Sequence, residues 1–220
     1  MSTRNRLFSV AVLAAVAVAG LAGCKSRGEI VVDEGVGITA VRTRCPAVGI
    51  PDYTGDVTLF RSPGNRTANN IDVVAAMTNI RSECSESSDQ VYTTTRFDVL
   101  ARRTDTQGAR QVTLPYFVTV LRGGRAVVTK RVGNITLSFA DGQERAQTSG
   151  EGSAYVDRTE ATLPPDIRDR IVRKRKAGDT DAAMDPLADP DVKAAVERAT
   201  FEVLVGFQLD ESQLAYNATR

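Results

Sequence analysis

The sequence predicts a mainly β protein: an antiparallel β-sandwich, immunoglobulin-like in outline, with two short helices before its last strand. Three observations support this. Apolar and polar residues alternate over most of positions 57–156, which is the period of a half-buried strand. Gly, Asp, Asn and Ser interrupt the alternation at short intervals, as turns do. After Arg158 the spacing becomes helical and then returns to strict alternation.

About seven short strands are expected, which is typical of a sandwich. Ser62-Pro63-Gly64-Asn65 forms the first turn, and Gly123-Gly124 predicts a tight two-residue hairpin turn. Asp141-Gly142 turns the chain again. Pro115 lies inside an alternating stretch, so we expect it at a sheet edge or a bulge. The alternating stretches are 57–61, 71–80, 91–101, 112–120, 126–132, 135–139 and 145–156.

Two helices and a final strand are expected after this region. Pro164-Pro165 precedes a helix over 166–176, in which Ile167 and Ile171 lie one turn apart and which Gly178 can end. Asp189 caps a second helix over 190–199. Residues 201–209 then alternate strictly; Gly206 and the β-branched content oppose the alternative of one continuous helix. The helices at about 164–199 are therefore an insertion in a single domain, 45–220.

Composition excludes several kinds of active site. The 220 residues include no His, which removes Ser-His-Asp and Cys-His nucleophiles and the usual zinc hydrolase ligand sets. Gly-x-Ser-x-Gly, Ser-x-x-Lys and metal-spaced Cys motifs are also absent from the sequence. A formal charge of +1 gives no case for binding nucleic acid. We predict no catalytic residues, no cofactor and no metal site; an enzyme using carboxylates or Tyr is the least favoured alternative.

The N-terminus has the composition of a secretory signal peptide. Arg4 and Arg6 precede an uncharged, mostly Ala, Val and Leu stretch over 7–23, and Cys24 follows. The stretch is too short for a comfortable membrane span of roughly 20 apolar residues. We predict that residues 1–23 are a signal peptide. A plain signal with an incidental Cys would leave an odd number of thiols in an oxidising compartment.

Leu21-Ala22-Gly23-Cys24 resembles the lipobox of bacterial lipoproteins. The resemblance covers only the first 24 residues. It implies that the Cys24 thiol takes a diacylglycerol, that the signal is cut before it, and that the new amine receives an acyl chain such as palmitate. Lys25 stands where family members retained in the inner membrane usually carry Asp. The resemblance therefore implies an outer-membrane lipoprotein that faces the periplasm.

Acylation of Cys24 would leave Cys45 and Cys84. In an oxidising compartment two thiols most simply form one disulfide, which at this separation would stabilise the fold by about 4 kcal/mol. Two buried free thiols are the alternative. Residues 24–44 have mixed composition with Gly28, Gly35 and Gly37, so we interpret them as the acylated Cys and a tether with a typical span of roughly 25 Å.

The segment around the first predicted helix is basic, and the segment after it is acidic. The basic residues are a candidate patch for anionic lipid or an acidic partner, although they are also placed as the helix dipole favours. The acids that follow lack the Gly and closing Glu of an EF-hand calcium loop. The basic residues are Arg168, Arg170, Arg173, Lys174, Arg175 and Lys176, and the acids are Asp179, Asp181, Asp185, Asp189 and Asp191.

These features together predict a lipid-anchored periplasmic lipoprotein that acts as a noncatalytic structural or assembly module of the cell envelope. Its expected partners are the membrane, through the lipid on Cys24, and an envelope protein. The alternative is a carrier or sensor of a small apolar molecule. A large apolar cavity lined by the strands would favour the carrier, and a filled core with an exposed patch would favour the assembly module.

Overall fold

The computed structural model describes residues 43–220 apart from positions 63, 88, 174, 175, 177 and 181–183. Its strands form two four-stranded sheets, which confirms the predicted β-sandwich. One sheet has the order β1-β8-β5-β6 and the other β2-β3-β4-β7. Neighbouring strands are antiparallel except β1 and β8, which are parallel. The strands are β1 (Ala47–Gly49), β2 (Asp56–Phe60), β3 (Ile71–Glu86), β4 (Gln90–Arg103), β5 (Arg110–Arg122), β6 (Ala126–Phe139), β7 (Arg145–Asp157) and β8 (Phe201–Phe207).

Strand β4 shows how the sequence pattern builds the core. Its alternate residues Val91, Phe97 and Val99 are at most 1% exposed and point between the sheets. On its outer face Arg96 pairs with Glu83 of β3 and Glu151 of β7. Successive side chains of a strand point to opposite faces of the sheet, so apolar residues at every second position face the core and the polar residues between them face solvent.

Two glycines explain why the alternation in β7 looked interrupted. A Cβ atom at Gly150 would overlap the ring of Phe97, and one at Gly152 would overlap Val118. Phe97 lies in the neighbouring strand of the same sheet, whereas Val118 lies in the opposite sheet. The glycines therefore permit close packing at the core and do not break the strand.

Strands β3 to β7 are longer than expected, whereas the final strand, expected over 201–209, ends at Phe207. Residues 126–132 and 135–139 belong to one strand, β6. The prediction of a two-residue hairpin turn was wrong: the β5–β6 turn has three residues, Gly123 to Arg125, and the register shifts between Val120 and Leu121. Gly123 and Gly124 have φ values of 60° and 73°, which glycine adopts without strain. The turn is one residue longer than predicted, and beside it Val128 of β6 has no partner in β5, which is a β-bulge.

Pro115 lies in a central strand but at an edge-like position. Strand β8 pairs with β5 only from Tyr116 onwards, so at Pro115 the strand pairs with β6 alone. The backbone N–H of Gln208, just after β8, donates to the Pro115 carbonyl at 2.9 Å. Pro115 is therefore neither in an edge strand nor at the bulge of β5, which lies between Val120 and Leu121; it has an edge-like place only because β8 does not pair with it.

Three α-helices follow the long strands: α1 (Pro165–Val172), α2 (Pro190–Arg198) and α3 (Glu211–Thr219). Helix α2 is capped by the Asp189 carboxylate, as predicted. Helix α1 ends at Val172 and not at residue 176. Extending it would place Arg173 and Lys174 three and four residues from Arg170, where like charges repel. Helix α3 was not predicted; Asp210 and Gln213 form its capping box.

Arg103 closes one end of the sandwich. Its side chain is buried (1% exposed), and its guanidinium donates hydrogen bonds to four backbone carbonyls, those of Thr106, Gly108, Ala140 and Gln143, at 2.7–2.8 Å. The guanidinium also lies 5.3 Å from the centre of the Phe139 ring. The cation thus joins the β4–β5 and β6–β7 loops. We call this the Arg103 end.

An ion pair ties the two sheets together at the Arg103 end. Both terminal nitrogens of Arg110, in β5, donate to the Asp72 carboxylate in β3, at 2.8 and 2.6 Å. This hydrogen bonding holds the pKa of Asp72 below its usual value, against the opposing effect of desolvation. The contribution of the pair to stability is therefore present near neutral pH and is lost as the pH falls through the lowered pKa.

We expect Arg103→Met to lower the free energy of unfolding by about 3 kcal/mol or more, because buried carbonyls lose charge-assisted hydrogen bonds. The neighbouring Arg102→Met is a matched control, since Arg102 is exposed and its ion pair with Glu144 is a surface pair worth about 1 kcal/mol or less. Urea unfolding followed by circular dichroism measures both. Equal effects of the two substitutions would contradict the role given to Arg103.

Candidate functional site

The residue on which the functional prediction depends lies outside the described residues. Cys24, the signal peptide 1–23 and the tether up to residue 42 all precede the first described residue, Thr43. Lys174 and Arg175 of the candidate basic patch also lie outside them. What the structure shows is the place where the chain enters the sandwich.

A disulfide between Cys45 and Cys84 marks that place, which confirms the predicted pairing. The two sulfurs are 2.02 Å apart. Cys45 lies two residues before the short strand β1 of one sheet, and Cys84 lies in β3 of the other. The bond therefore joins the two sheets at the first residue after the tether. We call this the tether end of the sandwich.

Arg44 also holds the incoming chain at the tether end, through contacts with β3 and with the loop after β7. One of its terminal nitrogens contacts Glu86 of β3 at 2.9 Å, and its Nε donates to the Thr162 hydroxyl at 2.8 Å. Thr162 belongs to the loop between β7 and α1. In the same loop Glu160 contacts Arg122, the last residue of β5. The incoming chain, the disulfide and the start of the helical insertion therefore lie together.

The basic residues predicted as one helical patch are divided in the structure. Only Arg168 and Arg170 lie on α1; Arg168 pairs with Asp169 at 3.0 Å, and Arg170 pairs with Asp189, the cap of α2. Arg173 follows the end of the helix, and Lys176 lies beyond it. Neighbouring acids therefore offset part of the charge that the sequence concentrates here.

A cleft of about 520 Å³ lies between α1 and the loop before α2. Its lining includes Asp166, Asp169, Asp185 and Asp189. The Asp185 side chain accepts a hydrogen bond from the Leu187 N–H, and the Asp189 side chain accepts from the N–H groups of Asp191 and Val192. These two carboxylates are thus occupied as caps. Among the described residues, no group of three or more His, Cys, Asp or Glu side chains is placed to hold a metal ion.

Beside Val118 the two sheets leave little space between them. A cavity of about 20 Å³ lies among Val118 and Val120 of β5, Thr129 and Arg131 of β6, and Ser153 to Tyr155 of β7. That volume holds about one water molecule. It is far below the roughly 300 Å³ at which small-molecule pockets begin.

Two tyrosines lie side by side on the outer face of the second sheet. Tyr92 and Tyr155 are directly opposed in β4 and β7 and are 44% and 51% exposed. Hydrogen bonds with Ser153 and Thr94 lower the pKa of the Tyr92 phenol from its usual value. The guanidinium of Arg131 in β6 lies 5.8 Å from the centre of the Tyr155 ring. Sequence reasoning did not identify this surface, because strand alternation does not show which outward residues meet.

The chain matches no known protein family, and no characterised protein and no solved structure is significantly similar to it.

None of the helices in the described part of the chain has the length and apolar character needed to cross a membrane; the longest have nine residues.

Replacing both Cys45 and Cys84 by Ala should lower the free energy of unfolding by about 2–4 kcal/mol, because the bond restricts the unfolded chain. Urea unfolding under non-reducing conditions measures the loss. Treating the unsubstituted protein with a reductant should reproduce it, while the double variant should not respond to the reductant. A reductant effect on the double variant would contradict the assignment of the stabilisation to this bond.

Proposed function

We propose that this chain is a bacterial lipoprotein, anchored through lipid on Cys24 to the periplasmic face of the outer membrane. The observation that carries the proposal is Leu21-Ala22-Gly23-Cys24 after a basic start and an uncharged apolar stretch. Lipoproteins retained in the inner membrane usually carry Asp directly after the acylated Cys. Lys25 stands at that position here, which favours transfer to the outer membrane. One acyl chain binds a bilayer only marginally, at about 0.8 kcal/mol per buried methylene, whereas two or three anchor stably.

The Cys45–Cys84 bond supports an extracytoplasmic location. Disulfides of this kind persist in oxidising compartments such as the periplasm and are rare in the cytosol. The bond also suits an anchored protein, because it joins the two sheets at the first residue after the tether. The lipobox and the disulfide are separate features of the chain that favour the same compartment.

The role we propose for the sandwich is that of a noncatalytic structural or assembly module. The small size of the cavity beside Val118 and Val120, about 20 Å³, supports this role over a carrier of small apolar molecules, which needs a larger one. Exposed side chains remain for a protein partner: Tyr92 and Tyr155 on one sheet, and Val127 and Val132 on the other. The basic residues from Arg168 to Lys176 are a second proposed contact, with an envelope protein or with anionic lipid.

Replacing Cys24 by Ala tests the anchor. We expect an uncut precursor that keeps residues 1–23 and carries no lipid, because the thiol is the site of acylation. Metabolic labelling with a fatty acid and gel mobility of fractionated membranes measure this. Ser26→Ala is the matched control and should be processed and acylated normally.

Mature, normally sized protein from the Cys24→Ala variant would contradict the proposal. Native mass spectrometry of the acylated wild-type protein separates the module from the carrier. A mass that exceeds the acylated chain by one small apolar molecule would favour the carrier instead.

A further inference from the structure

Strand β2 is the outermost strand of its sheet, yet its edge is closed. It pairs with β3 on one side and has no strand on the other. None of its five residues, Asp56–Phe60, is exposed, and Thr58 in its middle is only 4% exposed. An edge strand without a cover presents a row of unpaired backbone groups to solvent. An element other than a strand therefore covers the edge of β2.

Backbone hydrogen bonds show which groups of β2 point away from the sheet. The Gly55 carbonyl accepts from the Met77 N–H of β3, and the Arg61 N–H donates to the Asn70 carbonyl just before β3. Residues 55 and 61 thus face β3. Backbone groups alternate in direction along a strand, so those of the even-numbered residues between them point outwards. These residues are Asp56, Thr58 and Phe60.

Helix α3 is the cover. Asn217, the only buried residue of α3, donates from its side-chain amide to the outward carbonyl of Asp56 and to the Tyr53 carbonyl, both at 2.8 Å. Just after α3, Arg220 forms an ion pair with Asp56 and donates to the Thr58 hydroxyl at 3.3 Å. The helix therefore occupies the side of β2 where a further strand would pair.

The contacts that hold α3 in place are mainly polar. Tyr216 packs against Phe60, with ring centres 5.2 Å apart, but Leu214 of the same helix is exposed. The Oδ1 atom of Asn217 is buried and has no hydrogen-bond partner among the described residues. A buried acceptor without a partner disfavours the closed arrangement. Elements that bury few apolar side chains open locally more readily than a core, so α3 can detach while both sheets stay folded.

A second copy of β2 is the strand that fits the uncovered edge. In an antiparallel pair about a two-fold axis at Thr58, every outward backbone group of one copy meets one of the other. Val57 then faces Leu59 on the core side. Arg61 forms no ion pair among the described residues, and it would lie beside Asp56 of the second copy. This register therefore matches hydrogen-bonding groups, apolar side chains and opposite charges.

The open edges of the sandwich do not depend on α3. Residues 81–86 of β3 pair with β4 alone, residues 126–132 of β6 pair with β5 alone, and both stretches are exposed throughout. Helix α3 covers neither stretch. Association through either of them would not respond to a change in α3, so an experiment on α3 separates these edges from that of β2.

We propose that α3 is an autoinhibitory cover: it keeps the edge of β2 closed in a single copy, and its release lets two copies join through their β2 strands. The joined strands would merge two four-stranded sheets of order β2-β3-β4-β7 into one continuous sheet. The inference goes beyond the proposed lipid anchor and does not depend on it. The state of α3 would then decide whether the protein is one copy or two.

Asn217→Asp opens the cover in the full chain, because a carboxylate cannot donate and would face two carbonyl oxygens. At low protein concentration, amide exchange in α3, read by NMR, should become faster by about tenfold or more, while β4 keeps its protection. At high concentration, sedimentation in detergent should show a dimer, and the Thr58 and Phe60 N–H groups should become protected. The unsubstituted protein should stay monomeric. Ala218→Asp, which adds the same charge at an exposed position of α3, is the matched control and should behave like the unsubstituted protein.

Thr58→Pro in the Asn217→Asp background separates strand pairing from nonspecific association. Proline removes the outward N–H of residue 58, which does not serve β3, so the double variant should keep its sheets and be monomeric again. A charge exchange gives a second reading that needs no proline. Arg61→Glu in the Asn217→Asp background should weaken association, and adding Asp56→Arg should restore it.

Several results would overturn the proposal. Unchanged exchange in α3, or a monomer at every concentration, for Asn217→Asp would each do so. Association that survives both Thr58→Pro and Arg61→Glu would mean another surface, as would equal association of the unsubstituted protein. Loss of the β-sheet circular dichroism signal on substituting Asn217 would show that α3 belongs to the cooperative fold and is not a detachable cover.

Discussion

The disulfide between Cys45 and Cys84 is the constraint that holds the start of the described chain to the rest of the sandwich. Strand β1 holds the start of the fold through only three residue pairs with β8, and those pairs are parallel. In a protein anchored as proposed, a pull on the chain would act first on these pairs. The covalent bond transfers that pull to β3, a strand of 16 residues that pairs with β4 along most of its length and with β2 over residues 71–76. The fold can thus hold the start of the chain although its first strand is short.

The two ends of the sandwich are closed by different chemistry. At the tether end a covalent bond and the Arg44–Glu86 ion pair join the sheets. At the other end Arg103 holds two loops by hydrogen bonds, and Arg110 pairs with Asp72 across the sheets. Between them, Gly152 lets the sheets approach closely beside Val118. Each end is therefore held by contacts that join separate parts of the sandwich.

Much of the fold could be predicted because its strands are half-buried and alternate. Strand β4 and the cap of α2 at Asp189 follow from local patterns alone. Strand β1 could not be predicted, because its three residues form a strand only by pairing with β8, more than 150 positions later. Arg103 had a visible signal: it continues the parity of Val91 to Ala101 and so points inward. The pattern Asp210-x-x-Gln213 is likewise the signal of a capping box, and it could have predicted the start of α3.

The site was less predictable than the fold. Pairing of Cys45 with Cys84 followed from counting thiols and from the compartment. The division of the basic residues by Asp169 and Asp189 did not, because it depends on where α1 ends and how it meets α2. The exposure of residues 126–132 in β6, which pair with β5 alone, could not be predicted either. The sequence pattern of a strand does not show whether a second strand pairs with its other side.

Mass spectrometry of the unreduced native protein, extracted from its membrane with detergent, tests the lipid anchor and the disulfide together. We expect a chain that starts at Cys24, carries the diacylglyceryl and acyl additions on that residue, and lacks the two hydrogens lost in forming one disulfide. A chain that starts elsewhere, or that bears no lipid on residue 24, would contradict it.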